Sequence, residues 1–133
     1  MSTSNPAMLA VDTNVLVRLL VRDDEKQARQ ADQFVGKGAW VSQLVLAESI
    51  WVLDSVYART PVQLAAALRL MLAHESLVLQ DADTVSAALG HFETKPSLGF
   101  PDCLVLEIAR KAGHLPLGTF DKALAKLSEA QKL

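Results

Sequence analysis

Met8-Leu9-Ala10-Val11-Asp12-Thr13-Asn14 is the stretch from which the rest of the chain is read. Four apolar residues run into an aspartate, then a threonine and an asparagine, and a second apolar run follows. A short apolar run closed by polar residues predicts a strand buried on both faces. Open α/β sheets place their ligands at the carboxyl ends of such strands. Asp12 is therefore expected at a functional edge.

Outward from Asp12, strands and helices alternate. Val15 to Val21 predicts a helix over about residues 14–22, and Asp23-Asp24-Glu25 opens a second, stopped by Gly36 and Gly38. Acids in a first helical turn suit the positive end of the helix dipole. Ala39-Trp40-Val41 reads as a strand, and Ser42 as the cap of a helix from Gln43 to about Tyr57. That helix is apolar almost all round, so deep burial is expected. Thr60-Pro61 starts a fourth helix, with proline at its first position. Leu77-Val78-Leu79 is a strand, and Asp81 to Thr84 begins a fifth helix. The breakers between Thr94 and Phe100 make a loop before a sixth helix from Pro101 to Gly113. Leu115 to Thr119 is a strand in which Pro116 demands an edge position, and a last helix opens at Asp121 with Leu124 and Leu127. The pattern predicts a mostly parallel sheet with helices on both faces, a three-layer α/β/α arrangement.

The chain has 133 residues, half of them hydrophobic, which suits one core over residues 8–133 behind a loose tail, residues 1–7. That tail lacks the basic start and apolar middle of an export signal. No apolar run approaches the roughly 20 residues of a membrane span. With one cysteine, Cys103, no internal disulfide can form, and a cytoplasmic location is expected. The net charge of −2 does not mark a nucleic-acid binder, unless clustered acids offset a basic surface.

Asp12, Glu48, Asp102 and Asp121 stand out among the acids. Asp12 and Asp121 precede helices and Asp102 falls in a first turn, so each also reads as an ordinary cap. Glu48 lies within Leu44-Val45-Leu46-Ala47-Glu48-Ser49-Ile50-Trp51-Val52-Leu53, a run with no basic residue, which predicts partial burial. A buried charge needs a partner or a metal. All four fall near the strand-to-helix side of the predicted sheet. Four carboxylates together repel and raise one another's proton affinity, and a divalent cation resolves the conflict. An all-oxygen ligand set suits Mg²⁺ or Mn²⁺. The expected chemistry is hydrolysis of a phosphodiester by a water that the cation activates. Asn14 and Thr119 are placed to orient ligands, and Gly118 to let backbone approach closely. Arg18, Lys95 and Lys122 are candidates to steady a phosphate, although each also reads as plain surface charge. His74, His91 and His114 have no ligand spacing, and Cys103 reads as a small buried apolar residue.

These residues resemble the PIN domain family over Met8 to about Leu127. The carriers are Asp12-Thr13-Asn14, Leu46-Ala47-Glu48-Ser49-Ile50-Trp51-Val52-Leu53, Pro101-Asp102-Cys103-Leu104 and Gly118-Thr119-Phe120-Asp121-Lys122. Within the family they look most like the VapC toxins of bacterial toxin–antitoxin pairs. The resemblance implies a five-stranded parallel sheet with about seven helices and a Mg²⁺- or Mn²⁺-dependent endoribonuclease. It implies as partners an RNA substrate such as transfer or ribosomal RNA, a small antitoxin and a second copy of the chain. It leaves open a stand-alone RNA-processing nuclease and a PIN-like module that binds without cutting. A dehalogenase-like phosphatase fits less well, because Asn14 stands where its second aspartate belongs. A signalling receiver also fits poorly, because Asp23-Asp24 lies beyond a helix.

Overall fold

The computed structural model describes residues 8–133, so the expected tail, residues 1–7, lies outside the described residues. Strands β1 (Leu9–Ala10), β2 (Ala39–Val41) and β3 (Leu77–Leu79) form one parallel ribbon in that order. Leu9 pairs with Ala39, and Ala39 in turn with Leu77. A second parallel ribbon joins β4 (Leu117–Thr119) to β5 (Ala130–Lys132), with Leu117 opposite Ala130. Helices α1 (Thr13–Val21), α2 (Glu25–Val35), α3 (Gln43–Ser55), α4 (Pro61–Ala73), α5 (Ala82–Thr94) and α6 (Phe100–Ala112) connect them. The class is the expected α/β one, but among the described residues the five strands form two ribbons, of three and two, rather than one five-stranded sheet. Six α-helices stand where about seven were expected, because the segment after Asp121 is only a 3₁₀ turn.

The helix starts follow local chemistry. Ser42 Oγ accepts from the Val45 amide at 3.1 Å and so begins α3. Thr60 and Gln63 form a reciprocal capping box around Pro61. Asp24, not Asp23, caps α2, accepting from the Gln27 amide at 3.0 Å. Asp81 is different: it adopts a left-handed backbone, makes no cap bond, and sends its carboxylate to Lys111 at 2.7 Å. A 3₁₀ turn at Pro96–Leu98 replaces part of the expected loop before α6, and Gly99, at φ 77°, supplies the positive φ of the corner.

The core lies where these elements meet. Leu16, Ile50, Leu68, Met71, Val85, Phe100 and Leu106 are almost fully buried. Phe100 meets Phe92 edge to face, with ring centroids 6.3 Å apart.

Four local expectations change. β1 is an edge of its ribbon rather than a strand buried on both faces: Val11 is buried, but Leu9 and Ala10 are exposed, because β2 covers one side only. The helix expected after Asp121 is a 3₁₀ turn, Leu124–Lys126, in which only Leu124 reaches the core. The stretch behind it, polar and without alternation, becomes β5 because β4 offers it an edge: Leu133 N donates to Thr119 O at 2.9 Å. Helix α3 is not buried all round. Leu46, Ser49, Ile50 and Leu53 face inward, while Leu44 and Trp51 are 70% and 62% exposed. Ser49 satisfies its buried hydroxyl on the Val45 carbonyl at 2.7 Å.

Candidate metal centre and nucleic-acid interface

The helices that follow strands start at the strands' carboxyl ends, and α6, running back toward β4, starts at the carboxyl end of β4. Asp12, Asp102 and Asp121 lie at or just before such starts, and Glu48 lies about a turn and a half into α3. Asp12 follows β1 and caps α1, its Oδ1 accepting from the Val15 amide at 3.2 Å. Asp121 follows β4, and its Oδ1 accepts from the Leu124 amide at 2.8 Å. The capping role therefore holds for both, and it occupies one oxygen of each. Asp102 sits in the first turn of α6 but caps nothing, and among the described residues no side-chain hydrogen bond holds its carboxylate. No cap bond therefore explains Asp102, which keeps only the general preference of a first helical turn for an acid.

Glu48 is exposed, which corrects the expectation of burial. The reason is its place on the outer face of α3, spaced four residues from Leu44 and three from Trp51. It still faces the start of α1: Thr13 Oγ1 donates to Glu48 Oε2 at 3.3 Å. Thr13, the residue next to Asp12, so ties Glu48 to the start of α1. Nothing in the sequence singled Thr13 out, since a threonine at a helix start needs no special role.

The second pair is electrostatic. Asp102 is exposed as a residue, but partial burial of its carboxyl raises it above its ordinary value, and the negative charge of Asp121 adds to the rise. Among the described residues no ion pair involves Asp12, Glu48, Asp102 or Asp121, nor Asp24, Asp54, Glu75 or Asp83, whereas Asp23, Asp32, Asp81, Glu93, Glu107 and Glu129 each have a basic partner. Among the described residues no three Asp, Glu, His or Cys side chains lie close enough to share one ion. The expected single cluster is thus two pairs, one linked through Thr13 and one coupled by repulsion. That arrangement still fits Mg²⁺, which keeps several waters and takes one or two carboxylates plus phosphate oxygens. The donors are all oxygen, and the Asp102–Asp121 repulsion is what a cation relieves.

The remaining candidates sit around these pairs. Thr119 Oγ1 accepts from the Asp121 amide at 3.0 Å and so fixes the turn that carries the acid. Asn14 is exposed, and it lines a groove of about 330 Å³ with Arg18, Gln27 and Phe34. The Arg18 guanidinium is already engaged by Gln27 at 2.7 Å, Asp23 at 2.8 Å and Tyr57 at 3.0 Å. Lys95 ends α5 half-buried, and Lys122 is exposed beside Asp121. Gly118 answers to no close approach, since a Cβ there would meet Leu133 at an ordinary 3.6 Å. His74 accepts from the Ser76 amide, and His91 meets Glu107 at 3.0 Å. Cys103 is fully buried, and burial together with the Asp102 charge pushes its thiol up to about 11.

No helix among the described residues is long and apolar enough to cross a membrane. None of the curated proteins matches the chain. The family model of the PIN domain, a nuclease-type fold, matches residues 9–130 and so takes in all four acids. On that match, the chain belongs to the PIN domain family.

Proposed function

We propose that the protein is a Mg²⁺- or Mn²⁺-dependent endoribonuclease and the toxin of a two-protein toxin–antitoxin system. The observation that carries the reading is the repulsion between Asp102 and Asp121, neither of which has an ion pair among the described residues. Asp102 and Asp121 would hold the cation, with Asp12 and Glu48 facing it across the start of α1. Bound Mg²⁺ or Mn²⁺ supplies an acidified water and neutralises charge on the phosphodiester.

The protein's own groups do the rest. Asp12 and Asp121 are oriented by the amides they cap, Glu48 by Thr13, and the Asp121 turn by Thr119. The positive ends of α1 and α6 favour anions at this edge and so lower the cost of gathering acids there. Lys122 and Lys95 are the cations available to a phosphate, since Arg18 is committed to Asp23.

A partner is supported by α3. Leu44 and Trp51 are exposed on either side of Glu48, so the acid stands within an apolar strip. A small antitoxin presenting a basic residue among apolar ones would cover that strip and neutralise Glu48; a second copy of the chain is the other occupant we expect on the apolar surface. The enzyme reading is tested with purified protein and structured RNA. Cleavage should require Mg²⁺ or Mn²⁺ and vanish in Asp12→Asn. Equal cleavage by that variant would refute the assignment. The toxin reading predicts that expression alone arrests bacterial growth and that a small co-encoded protein relieves it; unimpeded growth would favour a stand-alone RNA-processing enzyme.

A further inference from the structure

Glu107 is a buried acid for which the chemistry above has no use, at 6% exposure on the inner face of α6. His91 of α5 meets its Oε2 at 3.0 Å. Arg110, one turn further along α6, donates from Nε to both of its oxygens, at 3.0 and 3.2 Å. The other end of the same guanidinium, Nη2, pairs with Glu129 just ahead of β5. Glu129 in turn accepts at its backbone oxygen from the Leu117 amide, 2.9 Å away, at the start of β4. The Arg110 hydrogen bond holds the Glu129 carboxyl below its usual range.

We infer that Glu107 and Arg110, through Glu129, form a strap that fixes the β4–β5 ribbon on α6 and so positions Asp121 against Asp102. The geometry gives the strap leverage. Asp102 and Arg110 are eight residues apart on α6, about 12 Å along the axis. Leu117 at the start of β4 is bonded to the Glu129 backbone, which Arg110 holds, and Asp121 just past β4 is close enough for its charge to reach Asp102. The two acids repel at one end of this pair of elements, and Arg110 clamps the other. Among the described residues, the side-chain hydrogen bonds between residues 115–133 and the preceding helices are those of Arg110 to Glu129. Apolar contact through Leu124 gives burial but no register. Glu107 is the anchor: held by His91, it fixes the guanidinium plane so that both ends of Arg110 are used. Lysine carries the charge but lacks the planar fork that bridges two carboxylates. Glu107, Arg110 and Glu129 are positioning residues.

The inference rests on the metal-site reading, and its test separates the two. Mn²⁺ binding by calorimetry and amide hydrogen exchange are measured on the parent, Glu129→Gln, Arg110→Lys and a control, Asp32→Asn. The control breaks another exposed ion pair, Arg22–Asp32, away from the ribbon. In both strap variants Mn²⁺ affinity should fall about tenfold, the lower end of the effect of groups that orient metal ligands. The Leu117 and Leu133 amides should exchange at least about tenfold faster, with Leu16 and Ile50 unchanged, while Asp32→Asn moves neither readout. Strap variants whose Mn²⁺ affinity equals the control's overturn the inference, whether or not their exchange rates change. A parent that binds no Mn²⁺ overturns the metal-site reading, and the exchange rates then decide the strap alone.

Discussion

The two ends of α6 are opposites. At its start, Asp102 has no basic partner among the described residues and faces the charge of Asp121. At its end, Arg110 and Lys111 are matched to Glu107, Glu129 and Asp81. Helix α1 repeats the contrast: Asp12 is without an ion pair at its start, while Arg18 and Arg22 at its end are paired with Asp23 and Asp32. The chain carries 13 lysines and arginines, enough to reach most of its 15 acids. Among the described residues Asp24, Asp54, Glu75 and Asp83 also lack ion pairs, so what sets this edge apart is the coupling of Asp102 to Asp121. Ion pairs hold the far ends of both helices.

The contrast is most easily broken at Asp102. Asp102→Asn should reduce metal-dependent RNA cleavage by more than about 100-fold, beyond the range of an indirect partner. The same change should raise the melting temperature at neutral pH. The sign follows from the raised carboxyl: the folded protein binds this proton more tightly than the unfolded chain does. The ionised form therefore costs stability, absent below the ordinary carboxylate range and complete above the raised value. A lower melting temperature in Asp102→Asn would show that the acid is a structural partner after all.

Away from both ends, the helices are held by packing. Phe100→Ala removes a ring that is 1% exposed, and should cost about 3–5 kcal/mol in denaturant unfolding. A loss under about 1 kcal/mol would place the core elsewhere.

Acidification sharpens the comparison next. Metal binding needs Asp102 ionised, so Mn²⁺ affinity should begin to fall at a higher pH than an ordinary carboxylate dictates. Asp121→Asn removes a charge that helps raise Asp102 and should move the onset to lower pH, even as overall affinity drops. An onset unmoved in Asp121→Asn would mean that the two acids do not sense each other. The smallest effect belongs to the paired ends: Arg22→Ala breaks a bridge whose side chains are 47% and 44% exposed, and should change stability by about 1 kcal/mol or less and leave cleavage untouched.

Much of this was legible in the sequence where one local signal has one local cause. Ser42, Asp24 and Thr60 each announced a helix start because a cap needs only the side chain and the next turn. Asp12 and Asp121 were readable as caps because each directly precedes a helical turn, and Cys103 as buried because a free cysteine behaves as a small apolar side chain. What failed depended on distant partners. β5 exists because β4 presents an edge 13 residues earlier in register, Leu117 against Ala130, and no pattern in Ala-Gln-Lys reports that. The exposure of Leu44, Glu48 and Trp51 depends on which face of α3 meets the core, and an all-apolar helix does not declare it. Thr13 and the Glu107–Arg110–Glu129 chain were invisible for the same reason, since their partners lie 35 and 19 residues away.

Calorimetric titration of the parent with Mn²⁺ at neutral pH, repeated on Asp102→Asn and on the ion-paired control Asp32→Asn, addresses the partnerless edge most directly. Saturable binding by the parent and the control, lost in Asp102→Asn, is the expected result. Identical isotherms for all three proteins would mean that the acids at the helix starts do not hold a cation.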